Sequence, residues 1–391
     1  MYILGKISSR IISENPKRKF KWKKRELKTM VRYKFVHTGD LHLGCGLKTS
    51  SLPEDVRNNL RLDVWKALDQ IVSYCKEKRV DFLFIAGDLF EHDLFKMSDL
   101  KMLAAYFKSL DKTKVFISPG NHDPLGGFMS YKAIDWPENI HIFKDEKITE
   151  VKVDDWMSVW GFGWNGEYIR DAKDVLGDVP DVFRTNILVL HGDAIDSGSN
   201  YLPLRDEMEY LNSFDYVALG HIHKPNQLEA KIKYCGSPLS ISFKDEGKRG
   251  FIKGDVTKGE VTSEFIPLEF RQFHLETVEV VPEESYLDIC DKIKKLSHNK
   301  NQDLFKITVN GILDVDVDFE MIKQGIYDSF YYVELIDATI KDYDLESLYS
   351  QNENNIIGRF IKEMAQEDLN DSTNRQALYH GLEALLQERQ L

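Results

Sequence analysis

Eight side chains able to hold a divalent cation fall at the ends of five apolar segments. They are Asp40 and His42 in GDLHLG, Asp88 in Gly87-Asp88, Asn121 and His122 in PGNHD, His191 in His191-Gly192-Asp193, and His221 and His223 in GHIH. Carboxylate, imidazole and amide without thiolate suit Mn, Fe or Zn in a mixed nitrogen–oxygen site. Eight groups exceed the needs of one ion, whereas two ions about 3.5–4 Å apart, sharing a carboxylate, would use them. Such a pair suits phosphoester hydrolysis: it neutralises the anionic phosphate, acidifies a water and aligns attack, while a nearby imidazole helps the alkoxide leave. No Ser/His or Cys/His arrangement offers a covalent nucleophile. D-x-H or Gly-Asp alone is weak, GNHD and GHxH are more specific, and the five together in this order are strong.

The elements that must position these groups are legible around them. Apolar runs at Tyr33–Thr38, Val80–Ala86, Lys114–Ser118, Asn186–Leu190 and Tyr216–Leu219 read as strands, each ending in one of the polar clusters. Leu60, Val64, Leu68, Ile71 and Val72 recur at helical spacing, and a second helix is expected over Asp99–Leu110. Carboxyl ends of strands in an α/β sheet converge on one crevice, so ligands distant in sequence can meet there.

The strings HTGDLHLG (37–44), IAGDLF (85–90), SPGNHDP (118–124), LGHIHKP (219–225) and YCGSPLSISF (234–243) resemble the calcineurin-like metallophosphoesterases. Within them, the chain is similar to the SbcD-type DNA repair exonucleases, which include the bacterial YhaO proteins and the archaeal and eukaryotic break-repair nucleases. The resemblance runs from Tyr33 to the C-terminus. It implies an α/β fold: a four-layer β-sandwich flanked by helices, with a small α/β cap and C-terminal helices. It also implies two divalent ions, Mn²⁺ for preference. Asp40, His42 and His223 would hold one ion, Asn121, His191 and His221 the other, and Asp88 would bridge. His122 would sit over the scissile phosphate with Asp123 orienting it. The implied activity is exo- or endonucleolytic cleavage at DNA ends or hairpins. The implied partners are DNA, an SbcC-like coiled-coil ATPase and a second copy of the chain, joined through helices early in the nuclease module. Where archaeal and eukaryotic relatives often place a histidine three residues after the bridging aspartate, this chain has Glu91, followed by His92. The alternatives are a metallophosphoesterase for a small or phosphoprotein substrate, and a scaffold subunit with little catalysis.

Four units are expected: a basic extension (1–30), the nuclease domain (31–270), a β-α-β-α-β cap (271–345) and a helical tail (346–391). In the cap, Phe273, Leu275 and Thr277 alternate as a strand. In the tail, the stripes Ile356–Met364 and Ala377–Leu386 have little core of their own and must dock on something. The reading assigns them to the ATPase by helix-in-groove binding, and a capping box Thr373-x-x-Gln376 introduces the second. The polar stretch Tyr349–Asn355 separates tail from cap.

Composition weighs against nucleic acid: of 391 residues, 52 are Lys or Arg and 64 Asp or Glu, a net charge of −12. Ten of the basic residues fall within 1–30, so the remainder is more acidic still. That segment reads either as a DNA-binding arm or as sequence preceding a true start at Met30. Local positive charge from bound ions offsets the acidity at the site. No apolar run reaches membrane-spanning length. Cys45, Cys75, Cys235 and Cys290 lie far apart and read as reduced thiols of a cytoplasmic protein. Asp314-Val-Asp316-Val-Asp318 lacks the glycine and glutamate of a calcium loop, and Gly161–Gly166 lacks the lysine and helix start of a phosphate cradle.

Overall fold

The computed structural model describes residues 32–45, 52–245, 247–257, 260–296, 299–314, 316–369 and 371–387. The basic extension at 1–30 lies outside the described residues. The chain runs β1 (Tyr33–Thr38), α1 (Glu54–Lys78), β2 (Phe82–Ile85), α2 (Met97–Lys108), β3 (Lys114–Ile117) and β4 (Ile140–Ile142). It continues with β5 (Thr149–Lys152), β6 (Met157–Gly161), β7 (Thr185–His191), α3 (Met208–Leu211), β8 (Tyr216–Gly220), β9 (Asn226–Gln227) and β10 (Ile232–Tyr234). Strands β11 (Gly250–Thr257) and β12 (Glu260–Pro267) return to the first sheet. Its order is β12-β11-β1-β2-β3-β4, and that of the second is β5-β6-β7-β8-β10-β9. The central strands β1 to β4 and β6 to β8 pair in parallel.

Two sheets face to face explain why the ligand-bearing strands read as unbroken apolar runs: both faces of each are covered. Phe35, Phe84 and Phe116 of the first sheet meet Val159, Ile187, Val189 and Ala218 of the second across the central layer. On the outer face of the first sheet, Val36, Leu83, Ile85 and Ile117 pack under Leu60, Val64, Leu68, Leu100 and Phe107 of the two long helices. The second sheet is covered by loops, helical turns and Leu211 of the one-turn α3, around Trp160, Trp164 and Phe214. The sandwich therefore has four layers, with its long helices on one side.

The cap is a parallel sheet, β13 (Phe273–Val280), β14 (Leu304–Leu313) and β15 (Tyr332–Lys341), with α4 (Tyr286–Lys295) and α5 (Phe319–Ile326) on one face. The expected alternation in β13 exists with the other parity. Val278 and Val280 face the helices, while Leu275 is 51% exposed and Phe273 enters the core of the first module. Arg271 reinforces that junction, bonding Asp63 of α1 at 2.6 Å and lying 4.6 Å from the ring centre of Tyr331. Asp318 of the triple-aspartate run accepts from the Glu320 amide and caps α5.

The tail departs from expectation. The polar stretch Tyr349–Asn355 is not a spacer, because α6 (Leu345–Asn352) runs into it. Helices α6, α7 (Ile356–Met364) and α8 (Ser372–Gln387) bury Ile357, Ile361, Leu378 and Leu382 among themselves, and Tyr379 packs on Ile312 and Ile340 of the cap. The tail thus has a core of its own. Asp371, not Thr373, caps α8, accepting from the Thr373 and Asn374 amides. All four cysteines are buried and none forms a disulfide, and among the described residues no helix is long and apolar enough to cross a membrane.

Candidate metal centre

Each ligand sits where its strand ends in a turn. Of the six non-glycine residues with positive φ among the described residues, four belong to the cluster: Asp40 (51°), His42 (51°), Asp88 (49°) and His221 (103°). The left-handed backbone turns these side chains inward, at a steric cost that L-residues rarely accept. Glycines let the loops close on one another. A Cβ on Gly87 would lie 2.5 Å from His191 Nδ1, and one on Gly120 would collide with Asp88 Oδ1.

The side chains meet between the two sheets. His191 Nδ1 donates to the Ala86 carbonyl at 2.9 Å, which leaves Nε2 as a lone pair 3.0 Å from Asn121 Oδ1 and 3.4 Å from Asp88 Oδ2. Across the site, His42 Nε2 is 3.1 Å from His223 Nε2 and 3.7 Å from the same Asp88 oxygen. Asp88 Oδ2 therefore lies between the two imidazole sets. Asp40 accepts from the His221 amide at 2.9 Å, and the His221 ring packs 5.2 Å from that of His191. Ligand atoms of Asp40, His42 and His223, and of Asp40, Asp88 and His191, lie within 4.8 Å of one another. All seven residues expected as ligands are thus brought together.

Electrostatics make this a cation site. Burial pushes the Asp40 carboxyl up to about 6 and that of Asp88 up to about 7. Burial holds His221 down at about 4 and His191 well below the ordinary imidazole value. Asp40 and Asp88, which resist ionisation, beside His191 and His221, which resist protonation, form acceptors short of positive charge. A divalent ion answers that deficit, and the N/O donor set fits one.

Two assignments change. Asp123 does not orient His122: its carboxylate accepts from the amides of Gly120 (2.6 Å), Leu89 (2.8 Å) and Asp88 (3.2 Å) and from the Tyr131 hydroxyl (2.5 Å). It braces the loop backbone. Glu91 takes the orienting role, with Oε2 2.9 Å from His122 Nδ1 and Oε1 2.8 Å from His42 Nδ1. Burial pulls His122 down, but the Glu91 hydrogen bond and the Asp88 and Glu91 charges outweigh it and raise the imidazole to about 9. Burial likewise pushes Glu91 up, and its two imidazole partners more than reverse the effect.

Asp245 was not anticipated from sequence. Segment 234–245 wraps behind the GHIH loop, where Ser237 N donates to the His223 carbonyl, and brings Asp245 Oδ1 to 3.6 Å from His223 Nδ1. The string YCGSPLSISF, which leads into it, was the only signal. His92 stays outside the cluster, its Nδ1 accepting from the Phe128 amide. His37 is structural: Nδ1 meets the Tyr216 hydroxyl and Nε2 the Leu219 carbonyl, joining the sheets. Asp193 accepts from the Ile195 and Asp196 amides.

Two sheets meet over a histidine–carboxylate cluster suited to divalent metal, and the sequence profile described as calcineurin-like phosphoesterase matches residues 33–225. These residues form a calcineurin-like metallophosphoesterase domain. Over 243 residues the chain is 29% identical to the uncharacterized metallophosphoesterase YhaO of Bacillus subtilis (strain 168). The match takes in 59% of this chain and 59% of that protein's length. Among solved structures, TT1561 of Thermus thermophilus is similar with a TM-score of 0.35 and 14% identity, and a Vps29 single mutant from Entamoeba histolytica with 0.26 and 13%. Each of those comparisons covers 60% of this chain and 99% of the other.

Proposed function

We propose that this phosphoesterase is a DNA nuclease: a two-metal exo/endonuclease that hydrolyses phosphodiesters at DNA ends or hairpins in repair, with an SbcC-like coiled-coil ATPase as partner. Asp40, His42 and His223 would hold one divalent ion, Mn²⁺ for preference, and Asn121, His191 and His221 the other, with Asp88 shared. Bound there, the ions supply charge neutralisation of the phosphate and acidification of a water. The chain's own contribution centres on His122. Its side chain is partly exposed at the mouth of the cluster, and Glu91 keeps the proton on Nδ1. In the charged form its other nitrogen, Nε2, can deliver a proton to the departing oxygen, an effect typically worth about 10²–10⁴ in rate.

The observation that carries the step from phosphoesterase to nuclease is the attachment of the cap. Phe273 packs edge-on against Phe243 at 5.0 Å, within the segment that brings Asp245 to His223. A second domain fixed to a segment that braces the ligand His223 suits a substrate longer than a small phosphoester. The working unit would be a homodimer, for which Leu62 of α1 and Met102 of α2 are exposed apolar candidates. The tail would bind the ATPase, and among its described residues Ile356 is the large apolar side chain left exposed.

The test incubates end-labelled duplex, hairpin and single-stranded DNA with the protein and Mn²⁺. Cleavage abolished by His122→Ala supports the nuclease. Turnover of small phosphodiesters alone favours the small-substrate alternative, and no turnover of either favours a scaffold. Ile356→Asp should lower recovery of the ATPase partner without loss of helicity, and unaltered recovery would count against docking through the tail.

A further inference from the structure

Beside the metal centre, a line of side chains leads away from His221. The Tyr201 ring lies 5.2 Å from the His221 ring, the Tyr168 ring 5.7 Å from that of Tyr201, and the Arg170 guanidinium carbon 5.9 Å from the Tyr168 ring. The spacing is held by backbone. Ile169 N donates to the Asn200 carbonyl at 2.9 Å and Leu202 N to the Ile169 carbonyl at 2.8 Å, so Tyr168 and Tyr201 sit on paired segments. Tyr168 is nonetheless 51% exposed, and it lines a cavity of about 530 Å³. That volume falls within the ordinary range of ligand pockets.

An exposed aromatic, an arginine and a preformed cleft close to a phosphoesterase centre form the elements of a stacking platform. Arginine and aromatic faces hold bases without regard to their identity. The cleft's other polar lining includes Glu146 and Asp174. Carboxylates there repel phosphate but accept hydrogen bonds from exocyclic amino groups, so the base belongs inside and the backbone at the mouth.

Building on the nuclease reading, we infer that Tyr168 and Arg170 form a nucleobase subsite that grips an unpaired nucleotide of the DNA substrate beyond the scissile phosphate. This assigns a role to the glycine-rich segment that precedes Tyr168, which the metal chemistry leaves unused. It also predicts that the enzyme measures an unpaired end rather than reading its sequence.

The experiment uses the full chain with Mn²⁺ and single-stranded oligonucleotides of increasing length, from a dinucleotide upward, with bis-p-nitrophenyl phosphate as the reference. Tyr168→Ala should raise the KM of the longer oligonucleotides roughly tenfold relative to that of the small diester. Tyr168→Trp should restore it, and Arg170→Ala should reproduce part of the defect. Equal KM at every length for wild type and Tyr168→Ala, with oligonucleotides still cleaved, would overturn the subsite and leave the nuclease standing. Wild-type protein that turns over the small diester but no oligonucleotide would overturn the nuclease reading and the subsite with it.

Discussion

Replacing Glu91 with glutamine keeps the side chain's shape and removes half of what it does. The carboxylate accepts from two imidazoles on separate oxygens, His42 Nδ1 at 2.8 Å and His122 Nδ1 at 2.9 Å. An amide offers one acceptor and one donor, so one imidazole must surrender its Nδ1 proton. Both hydrogen bonds lose the carboxylate's charge, each falling from about 1.5–3 kcal/mol towards the roughly 0.5–1.5 kcal/mol of a neutral bond. If His42 yields, its proton moves to Nε2, the nitrogen facing Asp88 and His223, and metal affinity falls about 10–100-fold. If His122 yields, it loses the hydrogen bond that raises it to about 9, and its proton is lost at lower pH. The wild-type acid persists up to that value, so the alkaline limb of the rate should move to lower pH in the variant. The assay is hydrolysis of bis-p-nitrophenyl phosphate against pH and Mn²⁺ concentration, with melting temperature as a control. Rescue by excess Mn²⁺ identifies the first case, and a shifted alkaline limb at saturating Mn²⁺ the second. A variant within about twofold of wild type, with neither change, would refute the orienting role of Glu91.

Asp88→Ala should cut metal-dependent hydrolysis at least a hundredfold, by order of magnitude, yet leave the metal-free protein as stable as wild type or more so near pH 8. The change removes a buried carboxylate that burial already disfavours, and calorimetry with chelator checks the sign. Metal affinity should fall as pH drops below about 7 and again below about 6, where Asp88 and Asp40 take up protons. The slope should be about tenfold per pH unit for each proton displaced, and a flat titration-calorimetry profile would contradict it. His37 is held at about 3 by burial, below its unfolded value, so its stabilisation is complete above about 6.5 and lost as pH falls from there towards 3. Metal-free wild type should lose about 1.4 kcal/mol per pH unit through this residue. His37→Gln should flatten the melting profile by that amount in the same window.

The strands and their ligands could be read because one physical fact leaves two marks. A strand buried on both faces is continuously apolar, and it ends abruptly where Asp40, Asp88 or His191 turns into the crevice. What escaped reading depends on tertiary placement. The resemblance pairs Asp123 with His122, yet the loop sends the carboxylate to backbone amides. Glu91 looked only like a missing histidine. Its reach to His122 requires the His92 amide to bond the His122 carbonyl, a contact between separate loops. Asp245 lies on a returning segment whose path no local pattern reveals. Helix α6 was hidden because much of its surface is polar, although Leu348 and Tyr349 pack into the tail core.

The left-handed backbone at Asp40, His42, Asp88 and His221 constrains how the protein can change over time. Each such residue forgoes roughly 1–2 kcal/mol, and glycine is the substitution that would recover it. Each recovery would delete a ligand or loosen its aim. A lineage that still needs the chemistry must therefore gain thermal tolerance elsewhere, in the helices or the tail. A lineage that has abandoned it has an immediate reward for replacing these residues with glycine or asparagine. In a related chain of unknown activity, the backbone preference at these four positions should report loss of catalysis before the rest of the fold records it.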